Sequence, residues 1–360
     1  MGSSIGKLFT VTSFGESHGR CLGVIVDGCP AGIPVAEADI QKEVDRRRAG
    51  LSIASTNRTE EDKVEILSGI LNGFTTGAPV CLAVWNKDVD SSDYEKNRYL
   101  LRPGHADYTA YMKYGGFNDY RGGGRFSGRI TAGFVMAGAI AKKVLSLINV
   151  DILAHTVEIG GIKAGAVEPG KIKESADKNP LRCADAAAAA AMTELIAKVK
   201  SEGDSVGGVI EGIALNVPVG LGEPVFETLD GELAKALFSI PAVKGVEFGA
   251  GFNVAKMKGS QNNDPFAIRG GKIITTTNNA GGILGGISSG MPIMVRVAVK
   301  PAPSIAQPQQ TVDIKDRKEA PLTVKGRHDA CIVPRAVPVV EAMMAIVLCD
   351  FSLRAGLIRG

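Results

Sequence analysis

The sequence predicts an α+β fold with an apolar helix at its centre, and three observations predict it. Residues 131–148 form an apolar stretch in which Ala132, Phe134, Val135, Met136, Ala137, Ala139, Ile140, Ala141, Val144 and Leu145 leave only Lys142, Lys143 and Ser146 clearly polar. A helix apolar on nearly every side belongs in the middle of a fold; with under twenty residues and two lysines, it makes a poor membrane span. Short alternating runs separated by Gly, Pro and Asn turns recur along the chain, which is the pattern of strands. Finally, 360 residues at 45% hydrophobic content can bury a large core, as one big domain or two intimate halves.

Taken in order, Lys7 to Phe14 alternates as a strand, Gly15-Glu16-Ser17-His18-Gly19 is a loop, and Leu22 to Val26 resumes as a strand before Gly28-Cys29-Pro30 turns the chain. Val35 to Arg48 has helical spacing through Ile40 and Val44, with Arg46, Arg47 and Arg48 in its last turn. Cations there complement the helix dipole, so capping and anion binding are both open for the triplet. Val64 to Leu71 and Pro79 to Trp85 are β-rich runs separated by a segment that starts with the turn signal Asn72-Gly73. A polar loop, Lys87 to Asn97, leads towards Arg102-Pro103-Gly104-His105-Ala106-Asp107-Tyr108, a rigid turn in which His105 is better placed for chemistry than for packing.

After the central helix, Asp151 to Ile159 reads as a strand with a structural His155 inside it. Residues 160–183 are an excursion, followed by an Ala-rich helix from Ala184 to Lys200. The strand Val209 to Leu215, its Pro/Gly turn and the helix Phe226 to Phe238 repeat the pattern of Leu22 to Val26, Pro30 to Pro34 and Val35 to Arg48, so two halves of related topology are expected. Gly281 to Gly290 is a second glycine-rich loop without the Gly-Lys-Ser/Thr ending of a P-loop. Met291 to Val299 alternates as a strand and runs into Lys300-Pro301-Ala302-Pro303-Ser304, where prolines stiffen the turn. Gly326-Arg327-His328-Asp329 precedes an apolar helix from Val337 to Leu353, and three ionisable side chains in a row cannot all pack in a core.

With 41 basic against 38 acidic residues, the formal charge of +3 is too small to predict a nucleic-acid or membrane surface, and aromatics at 5% offer no platform for bases. The meaning therefore lies in local clusters. Six scattered cysteines without a CxxC pair suggest reduced core thiols, neither a zinc site nor a disulfide framework. No signal-peptide pattern precedes the first strand, which leads us to expect a cytoplasmic protein. The chemistry is concentrated in the loop Arg121-Gly122-Gly123-Gly124-Arg125-Phe126-Ser127-Gly128-Arg129, where three glycines let the backbone approach a ligand and a helix N-terminus with three arginines favours an anion. His18, His105 and His328 also lie in loops beside glycine or aspartate, and arginines recur at 47, 48, 58, 102, 125, 129 and 327. Histidine moves protons near neutral pH and arginine clamps carboxylate and phosphate, so this set suits a small polyanionic substrate.

These residues resemble the chorismate synthase family over nearly the whole chain. The resemblance rests on Gly15-Glu16-Ser17-His18-Gly19 with Asp27-Gly28-Cys29-Pro30, on Arg102 to Asp107, on Arg121 to Arg129, and on Gly326 to Asp329 with Arg335-Ala336-Val337-Pro338. It implies a single domain over residues 1–360, a β-α-β sandwich with central helices between two mainly antiparallel sheets, internal pseudo-symmetry and a homotetramer. The implied activity is the anti-1,4-elimination of phosphate from 5-enolpyruvylshikimate 3-phosphate to chorismate, the last step of the shikimate pathway to aromatic amino acids. Reduced FMN is required there but not consumed, and with no extra reductase domain in this chain an external flavin reductase using NAD(P)H is expected.

By the same resemblance His18 helps the phosphate leave, His105 sits by the flavin, and Asp329 assists proton removal through flavin N5. Substrate anions would meet Ser17, Arg47, Arg102, Ser127, Arg129 and Arg327. FMN would lie against Arg125, Phe126, Ser127, Pro241, Ala242, Gly285, Lys300, Pro301, Ala302, Pro303, Ser304 and Arg327, with backbone contacts at the glycine and proline positions. Four positions depart from the family pattern: Phe126 in place of serine, Ile53 in place of an arginine for which Arg58 could substitute, and the milder Ala302 and Ala330. A non-catalytic binder of phosphorylated metabolites is the competing reading, but binding alone would not need His18, His105 and Asp329 together.

Overall fold

A computed structural model of the chain describes residues 2–48, 54, 61–87, 89–324 and 329–358. One sheet holds β1 (Ser4–Ile5), β2 (Thr10–Gly15), β3 (Cys21–Asp27), β4 (Val64–Ser68) and β5 (Val80–Trp85), in the spatial order β1-β2-β3-β5-β4. The other holds β6 (Asp151–Ile159), β7 (Ile162–Lys163), β8 (Gly208–Leu215), β9 (Val243–Phe248) and β10 (Ile293–Val299), in the order β9-β10-β8-β6-β7. Every pairing in both sheets is antiparallel. Four helices fill the layer between them: α1 (Glu37–Arg47), α2 (Thr131–Leu145), α3 (Leu229–Phe238) and α4 (Val333–Arg354). α2 packs on β3 and β5, α4 packs on β6 and β8, and the two helices pack on each other, which closes the β-α-β sandwich.

The expected pseudo-symmetry is present in the topology. The run β2-β3-α1-β4-β5-α2 is repeated as β6-β8-α3-β9-β10-α4, and the spatial orders β2-β3-β5-β4 and β6-β8-β10-β9 match strand for strand. The main insertion lies between β6 and β8, where residues 160–207 add the helix Ala186–Ser201 and shorter pieces.

Sequence pattern explains the layering. β10 alternates strictly: Ile293, Val295, Val297 and Val299 are buried while Met294, Arg296 and Ala298 are half-buried on the other face. Twelve of the fifteen residues of α2 are buried, and α4 is buried at every position from Val337 to Ser352. The two helices meet at Gly138, where a Cβ would stand 2.3 Å from the Cβ of Ala342, so only glycine permits that approach. The helical stretches 128–148 and 333–354, at 21 and 22 residues, are both long and apolar enough to cross a membrane, which overturns the argument from length made above. Burial within the sandwich accounts for their apolarity instead, since most of each stretch is covered inside the fold.

α4 starts at Val333, four residues earlier than the pattern suggests. Pro334 is tolerated in the first turn, where its missing N–H has no helical partner anyway, and Pro338 costs one further backbone bond. The polar loop at 87–97 contains a short helix, Ser92–Lys96, and the rigid turn after Arg102 leads into a helix, Asp107–Tyr114; both are too short and polar to show periodicity. Asn72 and Gly73, at φ 51 and 81, close a small hairpin between Ile70–Leu71 and Phe74–Thr75. Of the cysteines, Cys29, Cys183, Cys331 and Cys349 are buried thiols, whereas Cys21 and Cys81 are only half-buried; all six are free.

One buried ionic cluster sits in the helix layer. Glu341 of α4 accepts from Arg46 Nη1 and Nη2 at 2.6 and 2.9 Å, from Lys142 Nζ at 2.6 Å and from the backbone N–H of Ala154 at 3.1 Å. Burial opposes its charge, but Lys142 and Arg46 outweigh that and hold its carboxyl down to about 2. Arg46 therefore points into the core, and the triplet Arg46-Arg47-Arg48 serves two purposes rather than one.

Candidate active site

A cleft of about 900 Å³ opens where the C-terminal ends of α1 and α3, the N-terminal ends of α2 and α4, and the loop after β10 converge. Ser17, His18, Arg47, Arg102, His105, Arg125, Phe126, Ser127, Arg129, Pro241, Ala242, Lys300, Ala302, Pro303, Ser304 and Asp329 all line it. Pro301 and Gly285 do not. Gly285 turns the hairpin Ile283–Leu284/Ile287–Ser288, whose Gly286 carbonyl accepts from Leu229 N–H at the start of α3. The cleft meets the other end of that helix, at Phe238, roughly 15 Å away for ten residues. Arg327, His328, Ile53 and Arg58 lie outside the described residues.

The triple glycine has a specific reason. Gly122, Gly123 and Gly124 take φ values of 59, 81 and 52, a region that side-chain-bearing residues enter at a cost. A Cβ on Gly122 would stand 2.2 Å from Cδ2 of His18, and one on Gly123 would stand 3.0 Å from Cε1 of His105. The close approach expected of a ligand is thus made by the two histidines, laid against adjacent glycines. The loop's three arginines also separate: Arg121 pairs with Asp119 at 2.9 Å, and Arg125 donates to the carbonyls of Ser13 and Gly15 at the end of β2. Only Arg129 reaches the buried wall of the cleft.

The histidines are held differently. His18 Nδ1 lies 2.9 Å from the hydroxyl of Ser91, and its ring stands edge-on to Tyr94 with centroids 5.2 Å apart. A hydroxyl both donates and accepts, so it supports that ring with or without its second proton. His105 Nδ1 lies 2.8 Å from Asp107 Oδ1, which only accepts, and 3.1 Å from Arg102 Nη2, which only donates; the shorter contact is with the carboxylate, so we place the ring proton on Nδ1, with Nε2 towards Gly123. Arg102 grips the same carboxylate through Nε at 2.8 Å, Nη2 at 2.7 Å and its backbone N–H at 3.0 Å. Burial acts to raise the Asp107 carboxyl, but Arg102 and His105 prevail and hold it well below the usual carboxylate range.

Arg47 Nε donates to Thr131 Oγ1 at 2.9 Å and Nη2 donates to the Gly128 carbonyl at 2.8 Å, so this side chain fixes the entry to α2. Its Nη1 makes no hydrogen bond among the described residues and lies 3.6 Å from Asp62 Oδ2. Arg129 Nη1 donates to Asp62 Oδ1 at 2.8 Å, and its Nε donates to Asn86 Oδ1 at 2.7 Å. The Asn86 amide nitrogen donates in turn to the carbonyls of Glu16 and Gly19, so Arg129 and the His18 loop share one support. Arg335 pairs with Asp329 and donates to the Arg47 carbonyl. Burial first, then the Arg335 guanidinium, pushes Arg47 well below the usual arginine range. Because arginine keeps its proton in proteins, Arg47 is a buried cation with two further guanidiniums, Arg335 and Arg129, close by, a setting that suits an anion.

Positive charge is in excess across the whole lining, where the described residues include nine cationic side chains against five carboxylates. Lys300, whose Nζ donates to the Gly104 carbonyl, is pushed down by burial and then by Lys244, and neither lysine has a carboxylate partner among the described residues. Asp62, Asp107, Arg335 and Lys244 were not singled out as site residues by sequence reasoning. Asp107 and Arg335 did fall inside recognised motifs, whereas Asp62 lies 67 positions from the arginine that it meets and carries no local signal.

The chain matches the family model described as chorismate synthase over residues 9–353. It is similar to a chorismate synthase of Dehalococcoides mccartyi, 60% identical over 358 residues, covering 99% of this chain and 98% of that one. It is also similar to a chorismate synthase of Methanococcoides burtonii, 56% identical over 355 residues, covering 99% and 97%. Among solved structures, a crystal structure of chorismate synthase superposes with a TM-score of 0.77 at 35% identity, covering 98% of this chain and 93% of that one.

Proposed function

The chain belongs to the chorismate synthase family and is accordingly a lyase, and from that premise we propose that its cleft converts 5-enolpyruvylshikimate 3-phosphate to chorismate by 1,4-elimination with reduced FMN. The observation that carries this reading is the pairing of a cationic surplus with two histidines laid against adjacent glycines. A substrate with two carboxylates and a phosphate matches the surplus, and arginine's planar fork suits both kinds of group.

Arg47, Arg129 and Arg335 form the buried anion wall, with Arg102 held beside it by Asp107. His18, supported by a hydroxyl that tolerates either protonation state, delivers a proton to the departing phosphate oxygen. His105 is oriented by Asp107 and keeps its Nε2 on the Gly123 side of the cleft. Asp329, oriented by Arg335, is the carboxylate at the N-terminal end of α4 that takes part in removing the ring proton.

The residues present fit FMN. Lys244 and Lys300, which have no carboxylate partner among the described residues, suit its phosphate, while the neutral stretch Phe238 to Val243 with Phe126, 36% exposed, offers a wall for a flat ring. When bound in reduced form, the cofactor supplies electron density that assists loss of a poor leaving group. Arg125 has its guanidinium committed to β2, so residues 125–127 would meet the cofactor through backbone. The homotetramer is supported by exposed apolar side chains on one face of the hairpin Phe266–Arg269/Lys272–Thr275, where Phe266, Ile268 and Ile273 are 70%, 77% and 72% exposed; light scattering that shows a monomer would count against it.

The test is an anaerobic assay of phosphate release and chorismate formation with chemically reduced FMN, for wild type and His18→Ala. Turnover that needs the flavin, and a kcat at least about 10²-fold lower in the variant, is the expected result. Tight binding of substrate and FMN without turnover would favour the non-catalytic binder. Turnover of oxidised FMN by the purified protein with NADPH alone would refute external reduction.

A further inference from the structure

Asp62 is a carboxylate built into the anion wall. It is 5% exposed, lines the cleft and takes φ 46, a left-handed backbone that few side-chain-bearing residues other than Asp and Asn enter readily. Gln41 of α1 fixes its place, donating from Nε2 to the Asp62 carbonyl at 3.2 Å and accepting from Val64 N–H at 2.8 Å. The carboxylate faces Arg129 and Arg47, themselves 9% and 4% exposed, and it treats them unequally. Oδ1 closes on Arg129 Nη1 at 2.8 Å, while Oδ2 stops 3.6 Å short of Arg47 Nη1, which makes no hydrogen bond among the described residues.

A counter-ion placed only for stability would close both pairs, because a buried charge left unpaired is costly. Here one carboxylate sits between two buried guanidiniums, hydrogen-bonded to Arg129 and in a looser ion pair with Arg47. An anion that approaches Arg47 therefore meets attraction from both arginines and repulsion from Asp62 at close range.

We propose that Asp62 is a specificity-determining residue that weakens the hold of Arg47 and Arg129 on a lone phosphate, so that the pair retains a polyanionic substrate and releases inorganic phosphate once it is cleaved. The substrate's remaining anionic groups reach other cations of the cleft and offset the repulsion; the severed phosphate has no such help. This rests on reading Arg47 and Arg129 as the substrate's anion clamp.

The experiment is calorimetric titration of the full-length protein with inorganic phosphate at fixed ionic strength, for wild type, Asp62→Asn and Asp62→Glu. Removing one charge beside two buried guanidiniums should tighten phosphate binding by about tenfold or more in Asp62→Asn, with Asp62→Glu within about threefold of wild type. Weaker or unchanged phosphate binding in Asp62→Asn overturns the inference, because it makes Asp62 a support for the clamp. If Asp62→Asn is unfolded on its own, restoration of its circular dichroism by phosphate supports the inference and failure of phosphate to restore it overturns it. Phosphate binding to none of the proteins refutes the clamp itself, and the inference with it.

Discussion

Asp107→Asn tests whether the carboxylate beside His105 works through that histidine. The substitution preserves shape, removes the charge and leaves one acceptor oxygen where there were two. In the native protein those oxygens accept from Arg102 at 2.7, 2.8 and 3.0 Å and from His105 at 2.8 Å. Charge-assisted bonds contribute about 1.5–3 kcal/mol each against about 1 for neutral ones, so the variant should lose roughly 2–3 kcal/mol of stability. The activity effect is separate. If the new amide nitrogen turns towards Nδ1, the ring is driven into its other tautomer and Nε2 presents a donor instead of a lone pair. A positioned acid or base contributes about 10²–10⁴-fold, so kcat should fall by about 10²-fold and by no more than it falls in His105→Ala. The assay is chorismate formation with reduced FMN for the two single variants and the double variant. Once His105 is gone, Asp107→Asn should cost almost nothing further. A double variant whose loss equals the product of the two single losses would refute the idea that Asp107 acts by positioning His105.

Two further predictions concern other layers of the structure. Gly122→Ala places a Cβ 2.2 Å from the His18 ring at φ 59; we expect about 1–2 kcal/mol of lost stability and a kcat at least about tenfold lower, and full activity would show that the loop can move away. Glu341→Gln removes the most buried of the carboxylates that Arg46 and Lys142 share, leaving them Glu43 at 2.9 and 2.8 Å, and should cost about 2–3 kcal/mol by denaturant titration at pH 7. The Glu341 carboxyl is depressed in the folded protein to about 2, so its contribution is complete above the unfolded value near 4.5 and is lost as pH falls from there towards 2. Wild-type stability should therefore drop across that window more steeply than that of the glutamine variant, and parallel curves would refute the assignment.

What the sequence revealed and what it hid divide along physical lines. Strands such as Ile293–Val299 were legible because one face is buried and the side-chain period is two. The central helix was legible because it is covered on all sides, and the repeat because strand, turn and helix recur with similar spacing. The helix α4 starts four residues before Val337 because Pro334 occupies the first turn, which needs no donor from it. His18 and His105 stood out because they sit among glycines, although the glycines make room for the imidazoles more than for a ligand. Arg46 and Arg47 are neighbours with opposite destinations, since a helix turns about 100° per residue and sends one to Glu341 and the other to the cleft. The meeting of Asp62 with Arg129 is a product of the tertiary fold alone, and no local pattern announces it.

The repeated topology has a bearing on how one cleft can hold two unlike molecules. The end of α1 and the end of α3 are equivalent corners of the two halves, and both open on the same space. One corner presents Arg47 and Arg48; the other presents Phe238, Ser239, Ile240, Pro241 and Ala242. The same bend is thus written in two solvents, one side mimicking brine and the other oil. On the reading proposed above, the arginine corner suits an anionic substrate and the apolar corner a flat ring, so one piece of architecture used twice serves both.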